Sequence, residues 1–173
     1  MKTALWTALC CLAVLPSLAR AQQAAPPTAR AELKDAQAQK VGDVMLEQTP
    51  TGLLLRAELS NLTPGAHAFH VHALGKCEPP QFTSAGGHFN PLGQKHGIKN
   101  PEGRHLGDLP NIHVGADGKA RFELLMGGIS LRGENLFDAD GSALVVHAAA
   151  DDYMTDPAGN AGARVACGVV MKQ

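Results

Sequence analysis

The chain has 173 residues, 15 basic and 16 acidic side chains, a formal net charge of −1 and only 4% aromatic residues. It carries no basic run and no interleaving of aromatic with basic residues, which argues against a nucleic-acid partner. Beyond the N-terminus no apolar stretch approaches a membrane span, and about 150 residues remain, enough for one domain with a proper core.

The N-terminus reads as an export signal. Lys2 precedes the apolar run from Ala4 to Leu15, and Pro16-Ser17-Leu18-Ala19-Arg20-Ala21 ends in an Ala-x-Ala cleavage pattern. Residues 1–21 are therefore expected to be a signal peptide and the protein to be periplasmic or secreted, with no membrane attachment after cleavage. A lipoprotein signal using Cys10 or Cys11 is the alternative, disfavoured because Leu9 stands where a small residue is preferred. Loss of Lys2 and Arg20 takes the formal charge from −1 to −3. Residues 22–28 read as a flexible leader and residues 29–173 as the domain. Only Cys77 and Cys167 then remain, and in an oxidising compartment they are expected to pair. Such a bond closes a loop of about ninety residues, a stabilisation of roughly 4–5 kcal/mol in the chain-entropy model. Two unpaired buried thiols are the alternative.

After the leader come short alternating runs and turn residues, with little sign of a long helix. Strands are expected at 41–49, 52–60 and 66–73, separated by Pro50-Thr51-Gly52 and Thr63-Pro64-Gly65. Runs at 111–114 and 119–126 flank Asp117-Gly118, a hairpin signal, and 142–148 and 164–171 complete the set. Seven or eight short strands predict an all-β protein, a flattened Greek-key barrel or sandwich of antiparallel strands. Leu and Val must fill most of its core. Two irregular segments, 74–110 and 149–162, are too long for ordinary turns and read as functional loops.

All eight histidines lie between His67 and His147. Imidazole suits both zinc and copper, and there are more candidate ligands than one four-coordinate ion can use. On the strand 66–73 successive side chains alternate, so His70 and His72 share one face while Phe69 and Val71 take the other. The apolar pair belongs to the core, which places a metal on the outer face beneath a loop. His67 shares parity with Phe69 and reads as a hydrogen-bonded structural residue. His88, His96, His105 and Asp108 lie within the first loop; three nitrogens and one carboxylate suit a closed tetrahedral zinc site. His70, His72 and His147 remain for a second metal, with His88 at the junction, and a set of three or four nitrogens is characteristic of copper.

The motifs Gly65-Ala66-His67-Ala68-Phe69-His70-Val71-His72, Ala85-Gly86-Gly87-His88-Phe89-Asn90-Pro91, His105-Leu106-Gly107-Asp108-Leu109-Pro110, Val145-Val146-His147 and 159–169 (GNAGARVACGV) follow in order. Through them the chain closely resembles copper/zinc superoxide dismutases, over essentially the whole domain. The resemblance implies copper at His70, His72, His88 and His147, and zinc at His88, His96, His105 and Asp108, with His88 bridging. It implies that Asp151 links a copper ligand to a zinc ligand, that Cys77–Cys167 is the family disulfide, and that Arg164 receives the anion. It also implies superoxide as substrate, Arg164 and His88 as the catalytic residues, and a homodimer as one option for assembly. Leu109-Pro110 and the exported architecture are closer to the bacterial periplasmic branch. Ala68 replaces the usual glycine, and segment 149–162 holds Asp151, Asp152 and Asp156 but no lysine. That leaves Lys76, Lys95 and Lys99 of the other loop as the cations able to steer an anion.

The implied activity is dismutation of superoxide to dioxygen and hydrogen peroxide; the rival is a non-enzymatic copper/zinc-binding module of the same fold. Outside the motifs, His113 reads as solvent-facing, Asn61-Leu62-Thr63 as turn chemistry rather than a glycosylation acceptor, and Tyr153 and Met154 as packing residues.

Overall fold

In the computed structural model, residues 25–132 and 136–173 are described; the expected signal peptide and residues 22–24 of the leader lie outside them. The described chain is built from antiparallel strands: β1 (Thr28–Asp35), β2 (Lys40–Thr49), β3 (Gly52–Leu59), β4 (Gly65–His67), β5 (Phe69–His72), β6 (Ile112–Val114), β7 (Ala120–Met126), β8 (Ala143–His147), β9 (Arg164–Val169) and β10 (Met171–Lys172). The large sheet runs β5-β8-β9-β1-β2-β3-β7, with β10 also on β1, and a small sheet pairs β4 with β6. The small sheet joins the two edges of the large one, since β4 leads into β5 through Ala68 and β6 leads into β7 through a turn. The fold is thus the expected all-β, barrel-like architecture, and among the described residues no helix is long and apolar enough to cross a membrane.

Several expectations need correction. Strand β1 begins inside the expected leader, at Thr28, and was not anticipated. Its signal is the alternation of Ala29, Ala31 and Leu33, all fully buried, with Arg30, Glu32 and Lys34. Alanine is a poor strand former, so the pattern reads weakly until a core exists to bury it. The run 66–73 is two strands in two sheets rather than one. Ala68, fully buried, sits at the break, where its N–H donates to Ala149 O at 2.8 Å and its carbonyl accepts from His147 N at 2.9 Å. Its methyl group is accommodated there. The Asp117-Gly118 turn forms, with Gly115 N donating to Lys119 O at 2.8 Å, but β7 pairs with β3 and not with β6. The run 164–171 is split at Val170 into β9 and β10, and a 3₁₀ turn (Thr83–Ala85) interrupts the first loop.

One main core fills the barrel, with Phe69 and Phe122 packed edge to face at 5.6 Å. A smaller cluster of Phe82, Ala85, Ala143, Val145 and Cys167 lies on the other face of β8, beside the Cys77–Cys167 disulfide. Strand β8 is therefore buried on both faces. Leu144 and Val146 point into the barrel, whereas Ala143, Val145 and His147 point under the loops.

Candidate metal centre

The same alternation positions the candidate ligands on β5. Phe69 and Val71 enter the main core, while His70 and His72 face outward yet are fully buried, because the first loop closes over them. That loop adds to the free edge of β5: Val71 N donates to Gly107 O at 3.0 Å, and Phe89 N donates to Val71 O at 2.8 Å. His70 thus lies opposite Asp108, and His72 opposite His88. Residues opposed across antiparallel strands share a face, so backbone pairing delivers His88 and Asp108 to the side of the sheet that carries His70 and His72. Gly107 permits this approach, since a Cβ there would overlap the Val71 carbonyl.

A bulge places the arginine. Val146 pairs with Ala166, but His147 pairs with Arg164, and the register shifts between them. Without the shift His147 would face Val165, and Arg164 would point toward the barrel interior. Bulges commonly re-aim a side chain beside a site. Arg164 Nη1 and Nη2 donate to the carbonyls of Phe82 and Gly86, both at 2.6 Å. His72 Nδ1 meets the same Gly86 carbonyl at 3.0 Å, and His147 is the cross-strand partner of Arg164, which sets the arginine near both.

Two four-residue groups of candidate ligand atoms result, His70, His72, His88 and His147, and His88, His96, His105 and Asp108, with a third, smaller group of His70, His96 and Asp151 between them, the atoms in each lying within 4.8 Å of one another. His88 belongs to both four-residue groups. Its Nδ1 is 2.8 Å from Asp108 Oδ1, which also meets Nδ1 of His96 at 3.0 Å and of His105 at 3.2 Å. Asp108 Oδ2 is turned away and accepts the backbone N–H groups of Gly97 and His105 at 2.9 and 3.0 Å. One oxygen is anchored, and the other is aimed.

In the first group the partner of each ring fixes which nitrogen is left for a metal. His72 Nδ1 donates to Gly86 O at 3.0 Å, His147 Nδ1 faces Gly162 O at 3.3 Å, and His70 Nε2 meets Asp151 Oδ2 at 2.8 Å. His72 Nε2 and His147 Nε2 then face each other at 3.4 Å. His70 Nδ1 and His88 Nε2 have no hydrogen-bond partner among the described residues, although both are buried. Buried polar atoms normally find a partner, and four convergent imidazole nitrogens lacking adequate ones are the donor set a copper ion requires. The residues present fit both metals.

Electrostatics separates the two groups. Burial is the main cause that pushes His70 down to about 4, His72 to about 2 and His147 to about 3, so all three present neutral lone pairs. Burial also opposes charge on His96, but hydrogen bonds and attraction from Asp108 and Asp151 outweigh it and raise His96 to about 9. Both carboxylates are held far below their ordinary range, despite burial, by hydrogen bonds chiefly from His88 and His96 to Asp108 and from His70 and His96 to Asp151.

Asp151 joins the groups, with Oδ1 3.0 Å from His96 Nε2 and Oδ2 on His70. His67 lies in neither group; its Nδ1 is 2.7 Å from His147 O and its Nε2 2.7 Å from Thr63 O, the structural part expected of it. His113 is exposed, as expected. Met154 is 46% exposed and is not a packing residue. Asn111, which sequence reasoning did not single out, clamps Asp151: its Nδ2 donates to Asp151 O at 2.9 Å, and Asp151 N donates to its Oδ1 at 2.8 Å. No local pattern marks that residue, because its partner lies 40 positions away.

The chain and its fold have counterparts among known proteins. The family model described as copper/zinc superoxide dismutase matches residues 40–170. Superoxide dismutase [Cu-Zn] 1 of Aquifex aeolicus is 49% identical over 169 residues, covering 95% of this chain and 97% of its own. The [Cu-Zn] enzyme of Caulobacter vibrioides is 47% identical over 148 residues, covering 83% of this chain and 85% of its own. Among solved structures, a double mutant of a SOD-like protein from Bacillus subtilis is 43% identical, with a TM-score of 0.79 over 81% of this chain and 95% of that one. A match of this extent, on a chain whose buried imidazoles already form two groups sharing His88, shows that the protein belongs to the copper/zinc superoxide dismutase family.

Proposed function

We propose that the protein dismutes superoxide, converting two superoxide anions and two protons to dioxygen and hydrogen peroxide, at copper held by His70, His72, His88 and His147 beside zinc held by His88, His96, His105 and Asp108. The observation that carries this reading is the pair of orphaned buried nitrogens, His70 Nδ1 and His88 Nε2, next to a second ligand group reached through the other nitrogen of His88. When bound, copper supplies reversible one-electron redox chemistry and zinc a fixed positive charge on His88. The remaining work falls to the side chains. Arg164, with two donors held by Phe82 O and Gly86 O, keeps its other N–H groups for a small anion. His88 Nε2 is the atom at which a proton can be held and passed to the product peroxide. Asp151 fixes the ring orientation of His70 and His96 at once. A non-enzymatic module would be expected to lack one of these parts, and here each position is filled.

Export to the periplasm or beyond and assembly as a homodimer complete the reading. The apolar N-terminal run and the Cys77–Cys167 disulfide support the first. N-terminal sequencing of the recovered protein and sedimentation at several concentrations test the two separately. For the activity, metal content and superoxide-dependent turnover are measured on the same sample before copper removal, after it and after restoration. Turnover is expected to follow copper while zinc stays constant. Full occupancy by both metals without turnover would establish the binding module instead.

A further inference from the structure

Tyr153 reads as packing from the sequence, yet its polar atoms are all engaged. Its hydroxyl accepts the backbone N–H of Asn111 at 2.7 Å, its carbonyl accepts Lys99 N–H at 3.0 Å, and its own N–H donates to Asp151 Oδ1 at 2.6 Å. Lys99 Nζ stands 5.3 Å from the centre of its ring. Gly97, at φ +114°, lies so close that a Cβ would overlap the Tyr153 carbonyl. Tyr153 has a φ of +65°, uncommon for a bulky side chain and sustained only where surrounding contacts impose it. Those contacts come from the first loop (Gly97, Lys99), from the approach to β6 (Asn111) and from Asp151 itself. Asn111 closes the circuit, since its side chain pairs with both the N–H and the carbonyl of Asp151.

We propose that Tyr153 is a positioning residue that sets the Asp151 carboxylate and thereby couples the orientation of His70 to that of His96. The inference rests on the metal assignments of the proposed function and adds to them a part outside the ligand sets. The Tyr153 amide fills an acceptor position on the same Oδ1 that meets His96 Nε2, so a displaced Tyr153 would shift the carboxylate under both rings. The hydroxyl gives the Asn111 amide its partner in a half-buried position, and a backbone donor left without one favours rearrangement of the segment.

The test is Tyr153→Phe in the full-length, copper- and zinc-loaded protein, a change that removes one oxygen and leaves the ring beneath Lys99. Loss of partners beyond the ligand shell typically weakens metal sites by about 10–100-fold; Tyr153 acts one step further out, and zinc release to EDTA is expected to accelerate about three- to tenfold. The copper(II) visible band and electron paramagnetic resonance parameters should shift with it, because the hydrogen bond to His70 Nε2 changes. Val44→Ala, a core change on β2, which pairs with β1 and β3, should lower the melting temperature and move neither readout. Asn111→Ala provides the second arm and should accelerate zinc release in the same sense. Wild-type zinc release and an unchanged copper spectrum in Tyr153→Phe would overturn the proposal. A wild-type protein that fails to hold both metals would overturn the proposed function instead, and metal analysis of the starting sample distinguishes the two failures.

Discussion

Two regions of this protein set acidic side chains against nitrogen bases at similar distances and put them to opposite uses. On the outer face of β1-β2-β3-β7, Arg30 pairs with Asp43, Lys40 reaches Asp43 at 2.7 Å and Glu32 at 3.3 Å, and Arg56 joins Glu47 and Glu123 at 2.9 and 2.7 Å. These side chains are roughly 36–63% exposed, and water screens them. Exposed pairs of this kind stabilise little and weaken in salt. Beneath the loops, Asp108 and Asp151 are fully buried among imidazoles at 2.8–3.2 Å. There burial pushes the basicity of His70, His72 and His147 down, while hydrogen bonds and attraction from the two carboxylates overcome it and push that of His96 up. The spacings are comparable, but the surface cluster is made of permanent charges in water and the buried one of imidazoles around two carboxylates, and that chemistry together with desolvation separates them.

The sharpest way to break the comparison is His147→Ala. His147 belongs only to the first ligand group, so the change should reduce dismutation to background with zinc still bound; retained turnover in a metal-quantified sample would remove it from the centre. Arg164→Glu should cost nearly as much with copper content unchanged, whereas Arg164→Lys should retain a measurable fraction. Long-range steering is a separate and weaker effect. Lys95 faces Asp156 at 3.9 Å and Lys99 sits over Tyr153, leaving Lys76 as the exposed cation of the three with neither contact. Replacing all three with glutamine should therefore change the salt dependence of the rate far less than replacing Arg164 changes the rate itself.

Asp108→Ala should release zinc and lower the melting temperature by roughly 10 °C or more, because a ligand bound only to the native state stabilises it. Glu123→Gln, which breaks an exposed pair, should move it by no more than about 2 °C. Comparable shifts would mean that burial does not distinguish the two regions. A subtler effect concerns pH. In metal-free protein His96 is raised from 6.5 to about 9, so its contribution to stability is complete below 6.5 and lost as pH climbs through about 9. Asp108 and Asp151 are depressed and contribute above their unfolded values near 3.8, a contribution lost on acidification. Urea midpoints of EDTA-treated protein should fall between pH 6.5 and 9, the decline should vanish with zinc, and zinc uptake near pH 8 should release about one proton. A flat metal-free profile would show that His96 is not charged there.

The sequence by itself determined the all-β class, the face of β5 that carries His70 and His72, the separation of His67 from the ligands and both candidate ligand groups. These are legible because strand parity is a local property with a period of two, and because histidine, aspartate and cysteine declare their chemistry by type. Tertiary structure alone decided the rest. The break at Ala68 depends on hydrogen bonds to residues 147 and 149, far along the chain. Strand β1 exists because its alanines find a core. The bulge that turns Arg164 toward His147 is a matter of register between two strands, invisible in either one. Which nitrogen of each imidazole is left for a metal depends on carbonyls and carboxylates brought from distant segments, and so does the clamp of Asn111 and Tyr153 on Asp151. Residue types and alternation are written locally, but partnership in a desolvated site is a property of the packed chain.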